Sequence, residues 1–242
     1  MVVAPSTDTM LRDHISVHDR GLLYGDGVFE TVRCRNGKLL LQDLHLRRLL
    51  SSCQRLGITL DPSAIESWWQ QLAAAAPAQD NVLKIIVTRG EGGRGYAPPA
   101  QPACTLLAQW HALPPALDSG WQDGIDCMLC DYRLSENAAL AGLKHLNRLD
   151  QVMASRELAA FAAEFPSVRE GLTFDQHNYL VEGTRTNLFV VIDGHICTPD
   201  LSTSGVAGVM REWILQTLSE QNIPVETLKL DRETMLLASG MF

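Results

Sequence analysis

Three groups in the chain could do chemistry together: Lys144 in AALAGLKHLNRLDQV, Glu182 in YLVEGTRTNLFV and Arg48 in HLRRL. Lys144 follows Ala-Leu-Ala-Gly-Leu, an apolar run without another charge. Burial lowers the pKa of a lysine and frees its amine to act as a nucleophile or a base. The alternative is a lysine whose stem packs inside while its tip reaches water. Glu182 follows a strand-like run, where it could be a proton-holding carboxylate or an ordinary hairpin charge. SGVAGVMREW leads small residues into the start of a helix, where backbone N–H groups and the helix dipole favour an anion. Arg48 can add a fixed positive charge and a fork of donors, although either member of the Arg47–Arg48 pair could be solvated.

Together these groups match what a pyridoxal-phosphate enzyme needs. One is a nucleophilic lysine, the second an acid that keeps the pyridine nitrogen protonated, and the third an anchor for the phosphate.

Two other motifs lead elsewhere. Residues 90–95, GEGGRG, match G-x-G-x-x-G after a strand-like run, but YAPPAQPAC follows, and its prolines forbid the helix a dinucleotide site requires. What remains is a flexible loop carrying Arg94, either a surface hairpin or a lid over a site. Cys127 and Cys130 form the sole C-x-x-C, in a strand-like segment where residues three apart point to opposite faces. With no second such pair and no paired histidines, the six cysteines read as reduced, packed thiols and no metal is expected.

The elements that must position these groups are legible in outline. GVFETVRCRNGKLLL reads as a β-hairpin turning at Asn36-Gly37. Leu41, Leu44, His45, Leu49, Cys53 and Leu56 recur at helical spacing up to Gly57. Asp61-Pro62 caps the next helix. VLKIIVTRG and ACTLLAQWHA read as strands, and residues 113–120, LPPALDSG, as the linker. Beyond it come the strand GIDCMLC, a helix from Asn147 capped through Asp150, and hairpins over GLTFDQHNYLVEGTRTNLFVVIDGHICTP. A helix over VAGVMREWILQTLSEQN, the strand PVETLKL and a short helix DRETMLLA complete two mixed α/β halves.

The chain has 242 residues, 46% hydrophobic and 20% charged, as expected of an ordinary soluble protein with a real core. Its net charge of -8, without a basic block, argues against nucleic acid. The opening MVVAPSTDTMLRDH has no basic or apolar leader region, and no apolar run approaches a membrane span, so the cytoplasm is expected.

DRGLLYGDGVFETVR, HLRRL, TRGEGGRGY, LAGLKHLNRLDQV, EGTRTNLF and GVAGVMRE occur in the order found in the fold-type IV, branched-chain aminotransferase-like pyridoxal-phosphate enzymes. The chain resembles that family from about Val17 to Leu237. The resemblance implies a mixed α/β (α+β) fold of two domains joined by a linker at 113–123. One is a smaller N-terminal α/β sandwich at 1–112, the other a larger barrel-like α/β domain at 124–242 carrying the Schiff-base lysine. It makes Lys144 that lysine, Glu182 the partner of the pyridine nitrogen, Arg48 the phosphate arginine, and the amides of Val209 and Met210 the rest of the phosphate cradle. GLKHLNRL with GGRGY points to the branch that converts 4-amino-4-deoxychorismate to 4-aminobenzoate and pyruvate in folate synthesis, as a homodimer acting on a small molecule. Arg94 is the first candidate to meet the substrate's carboxylates.

An aminotransferase of branched-chain or D-amino acids, or a non-catalytic relative, are the alternatives. Two departures bear on the last. The opening lacks the family's strand with an Asn-Gly turn. The chain also ends at LLASGMF where relatives continue, so a truncated C-terminus, an exposed sheet edge and a loosened cofactor are expected.

Overall fold

The computed structural model describes residues 10–11, 14–113 and 124–242, so the expected linker lies, except for Leu113, outside the described residues. The chain divides into two compact units, Met1–Pro115 with Lys144–Asn147, and Ala116–Leu143 with Arg148–Phe242. The lysine segment thus groups with the N-terminal unit.

The first unit is built on a five-stranded sheet. Its strands are β1 (Met10–Leu11), β2 (Gly27–Arg35), β3 (Lys38–Leu39), β4 (Asn81–Thr88) and β5 (Thr105–Ala112), in the order β1-β5-β4-β2-β3. The hairpin between β2 and β3 turns at Asn36 and Gly37, whose φ values of 50° and 71° suit an Asn-Gly pair. Met10–Leu11 pairs in parallel with Thr105–Leu106.

Three helices accompany the sheet: α1 (Arg20–Tyr24), α2 (Gln42–Arg55) and α3 (Pro62–Ala74). Asp61 caps α3 by accepting from the Ser63 N–H, with Pro62 in the first turn. Val28, Val32 and Cys34 of β2 alternate inward against Leu49, Cys53, Trp68 and Leu72 of α2 and α3. Each fully buried side chain of this kind contributes about 1.5–3 kcal/mol.

The second unit contains two four-stranded sheets. One orders β11 (Val225–Leu228), β10 (His195–Pro199), β9 (Val190–Ile192) and β13 (Gly240–Met241). The other orders β12 (Leu230–Asp231), β8 (Tyr179–Gly183), β7 (Val168–Phe174) and β6 (Asp126–Arg133). Among its described residues the helices are α4 (Leu149–Glu164), α5 (Val209–Glu220) and α6 (Arg232–Leu236).

Two details depart from the sequence expectations. PVETLKL is two strands: Val225–Leu228 runs parallel to β10, and Leu230–Asp231 crosses to pair antiparallel with β8. Asn147 does not cap α4. The helix starts after Arg148 without a side-chain cap, because the Asn147 amide reaches the Gly25 carbonyl and Asp150 accepts from the Tyr132 hydroxyl and from Ser135. At the chain's end, Gly240–Met241 pairs antiparallel with Val190–Val191, and Phe242 exchanges backbone hydrogen bonds with Phe189.

Candidate functional site

In the first unit, the segment around Lys144 is held by main-chain pairing rather than by a helix. The Phe29 N–H donates to the Lys144 carbonyl at 3.0 Å, and the Leu146 N–H donates to the Gly27 carbonyl at 2.9 Å. The segment therefore meets β2 at one antiparallel bridge, with His145 opposite Val28. The half-buried Lys144 directs its Nζ over the Phe29 ring, 4.5 Å from the centroid, a cation–π contact. Gly25, at φ 68°, makes the close approach possible, since a Cβ there would lie 2.3 Å from the Asn147 Oδ1.

Arg48 is anchored by the neighbouring strand residue. Glu30 is 1% exposed and accepts from Arg48 Nε at 2.7 Å and Nη2 at 2.6 Å, with His45 Nδ1 at 2.6 Å. Burial alone pushes the Glu30 carboxyl up, and the hydrogen bonds from Arg48 and His45 outweigh it, so the group sits below its ordinary range. Arg47, by contrast, is exposed.

In the second unit the structure brings Glu182 together with the start of α5. The Glu182 side chain, on β8, accepts from the Val206 N–H at 2.8 Å and from the Gln151 amide at 3.2 Å. Two residues on, Gly208 occupies the N-cap position of α5 without a side-chain cap, and Val209 and Met210 open the helix. A Cβ at Gly208 would lie 1.9 Å from Asn187 Oδ1, while the Asn187 amide donates to the Val206 carbonyl. The turn before the helix is therefore pinned from both sides. The first-turn N–H groups of such a helix have no intrahelical acceptor and are suited to an anion.

Arg94 is exposed on the loop after β4. That loop is less free than its glycines imply. Arg20 donates to the carbonyls of Gly95, Tyr96 and Ala97, and its Nε to Asp26, while Tyr96 stacks edge-on against Tyr24. Arg89 completes the network through Asp26.

Sequence reasoning missed Phe29, Glu30, Arg20, Gln151 and the Val206 amide. The signal for Glu30 was available: in the alternation Val28-Glu30-Val32 a charge stands at an inward position of an apolar strand face. Contacts such as Gln151 to Glu182 join separate elements, and nothing local announces them. The cysteines are free thiols, as expected, and burial pushes Cys53 and Cys130 up to about 12. Among the described residues no group of His, Cys, Asp and Glu is arranged to hold a metal ion, and no helix is long and apolar enough to cross a membrane.

An amine over an aromatic ring in the first unit, and a buried carboxylate and an uncapped helix start in the second, are each a group type that a pyridoxal-phosphate enzyme uses and that suits that cofactor. The chain belongs to the class IV amino-transferases, whose family description matches residues 27–242 and whose members use pyridoxal 5'-phosphate. It is similar to the crystal structure of 4-amino-4-deoxychorismate lyase from Pseudomonas aeruginosa. That match has a TM-score of 0.88 and 41% identity, over 96% of this chain and 83% of that one. It is 34% identical over 215 residues to the aminodeoxychorismate lyase of Vibrio harveyi, covering 88% of this chain and 76% of the relative. It is also 30% identical over 231 residues to a putative branched-chain-amino-acid aminotransferase of Methanocaldococcus jannaschii, covering 94% and 77%.

Proposed function

We propose that the chain is a lyase that converts 4-amino-4-deoxychorismate to 4-aminobenzoate and pyruvate, a step of folate synthesis. The observation that carries this reading is the 41% identity to the Pseudomonas aeruginosa lyase over 96% of the chain. The 30% identity to the aminotransferase is what keeps amino transfer as the second reading.

When bound, pyridoxal phosphate supplies an electron-withdrawing ring that acidifies the carbon bearing the substrate's amine. Lys144 is the residue we assign to hold the cofactor covalently, and, once the substrate's amine has taken its place there, the freed Lys144 amine would take the proton from that carbon. Glu182 holds a proton at the pyridine nitrogen. Arg48 and the amides of Val209 and Met210 bind the phosphate. Loss of that proton and cleavage of the ring carbon–oxygen bond make the carbocycle aromatic. The departing enolpyruvyl group takes a proton on its methylene carbon, from the Lys144 ammonium, to become pyruvate. Aromatisation drives the elimination, so the residues mainly position two proton transfers. Arg94 is the cation we assign to the substrate's carboxylates.

A cytoplasmic homodimer is the setting we infer. The apolar side chains exposed on α4 and α5, Leu149, Val152, Met210 and Trp213, support a further partner surface.

The test is to supply the purified chain with cofactor and 4-amino-4-deoxychorismate. Pyruvate and 4-aminobenzoate should form in equal amounts, without a keto-acid acceptor. Lys144→Ala should lower the rate by about 10³-fold or more and abolish the visible absorbance of bound cofactor. Turnover that needs a keto acid would establish the aminotransferase instead. No cofactor absorbance in the wild-type chain would establish a non-catalytic relative.

A further inference from the structure

We propose that Glu30 is a positioning residue for phosphate recognition, fixing the guanidinium of Arg48 in the orientation that receives the cofactor's phosphate. The inference rests on the reading of Arg48 as a phosphate ligand.

Glu30 stands on the face of β2 whose other members, Val28, Val32 and Cys34, lie in the apolar core. A carboxylate there is costly to desolvate, and an apolar side chain would usually stabilise the fold as well or better. Its partners come from one helix face: His45 and Arg48 are three residues apart on α2. Both Glu30 oxygens are engaged by Arg48, Oε1 by Nε at 2.7 Å and Oε2 by Nη2 at 2.6 Å, while His45 Nδ1 lies 2.6 Å from Oε2.

Such a two-point pairing removes the rotational freedom of the guanidinium. It engages the Nε–Nη2 edge of the guanidinium and so fixes the plane in which the remaining Arg48 donors lie. His45 ties the carboxylate to the helix one turn earlier, so that Glu30, His45 and Arg48 move as one unit. A carboxylate this close to the arginine also opposes a phosphate electrostatically. Orientation and charge cancellation therefore predict opposite signs when Glu30 is changed, and they can be separated.

The measurement is the preference of the full chain, freed of cofactor by dialysis, for pyridoxal 5'-phosphate over pyridoxal. Dissociation constants are taken from the visible absorbance of the bound form. Glu30→Asp keeps the charge but withdraws the carboxylate by one methylene, out of two-point reach. It should lower the preference by about tenfold or more, while pyridoxal binding stays within about twofold. Glu30→Gln keeps the shape, loses the charge and sets an amide N–H against the Arg48 donors, and should lower the preference as well.

Tighter binding of the phosphorylated form by Glu30→Gln would make Glu30 a mere neutraliser and overturn the proposal. Equal weakening of both ligands in Glu30→Asp would assign Glu30 to folding alone, with the same consequence. Arg48→Lys separates the two levels of the argument. If it leaves the preference unchanged, Arg48 is not the phosphate ligand. If it lowers the preference and Glu30→Asp does not, only the positioning role fails.

Discussion

In the first unit two shielded carboxylates face guanidinium groups, Glu30 paired at two points with Arg48 and Asp26 between Arg20 and Arg89. A third, Asp19, accepts from the Gly21 N–H and the Thr88 and Thr105 hydroxyls. In the second unit the shielded carboxylates are held mainly by neutral donors. Glu182 accepts from the Val206 N–H and the Gln151 amide. Glu170 accepts from the N–H groups of Gly171 and Thr184 and the hydroxyls of Thr184 and Thr186, with the exposed Arg185 at 3.8 Å. The difference is chemical as well as structural. A carboxylate paired with an arginine has most of its field cancelled and serves to fix geometry. A carboxylate satisfied by neutral N–H groups keeps its charge to offer, as a protonated ring nitrogen requires. Glu30 and Asp26 of the first unit thus fix the cations beside them, whereas Glu182 of the second accepts from a backbone N–H and a side-chain amide.

Removing a carboxylate should consequently do different damage in the two units. The largest effect is expected at Asp26. Asp26→Ala leaves Arg20 and Arg89, 4% and 8% exposed, without their shared counter-charge, and should cost about 3–5 kcal/mol of stability. Urea unfolding followed by far-UV circular dichroism would measure it, and a midpoint equal to wild type would remove the ion pairs as structural ties. Glu182→Gln should behave in the opposite way. Its oxygen can still accept from the Val206 N–H, so the unfolding midpoint should shift little, whereas turnover falls about 100-fold as the charge beside the ring is lost. A variant that unfolds early but turns over normally would reverse the assignment of Glu182.

The same division explains what was legible in the sequence. Elements set by local rules were readable: the Asn36-Gly37 hairpin, the Asp61 cap and the apolar stripe of α2 each follow from neighbouring residues. The failures lie where a side chain has two uses and tertiary contacts decide between them. Asn147 has the right type and spacing for a cap, yet its amide goes to the Gly25 carbonyl, over a hundred residues away in the chain. Lys229 falls in an unbroken strand pattern, but the chain changes sheets there, so one strand became two. For the candidate site, residue types at Lys144, Arg48 and Glu182 could be chosen from the sequence, helped by the family resemblance. Their supports could not, because Phe29, Glu30, Gln151 and Val206 act through contacts between elements distant in sequence. The loop of Arg94 looked free because its glycines permit freedom, whereas the Arg20 guanidinium that binds its carbonyls sits some seventy-five residues earlier.

Acid provides the mildest way to sharpen the contrast. For Asp26, as for Glu30, burial pushes the carboxyl up and the arginine partners outweigh it, leaving both groups below their ordinary range when folded. A carboxyl whose folded pKa is depressed contributes stability that is fully present above its unfolded pKa, about 4. That contribution is lost as the pH falls through the folded value. Between neutrality and about pH 5 neither group should change the stability of the first unit. Below about pH 4 the unfolded chain binds protons that the folded carboxylates resist, and the first unit should weaken with each further step down. Backbone amide exchange read strand by strand tests this, with β2 and β4 on one side and β7 and β8 on the other. The protection of β2 and β4 should decline below about pH 4, and Glu30→Gln should flatten that decline. A decline just as steep in the Glu30→Gln chain would mean that the acid sensitivity of the first unit arises from carboxyls other than the one beside Arg48.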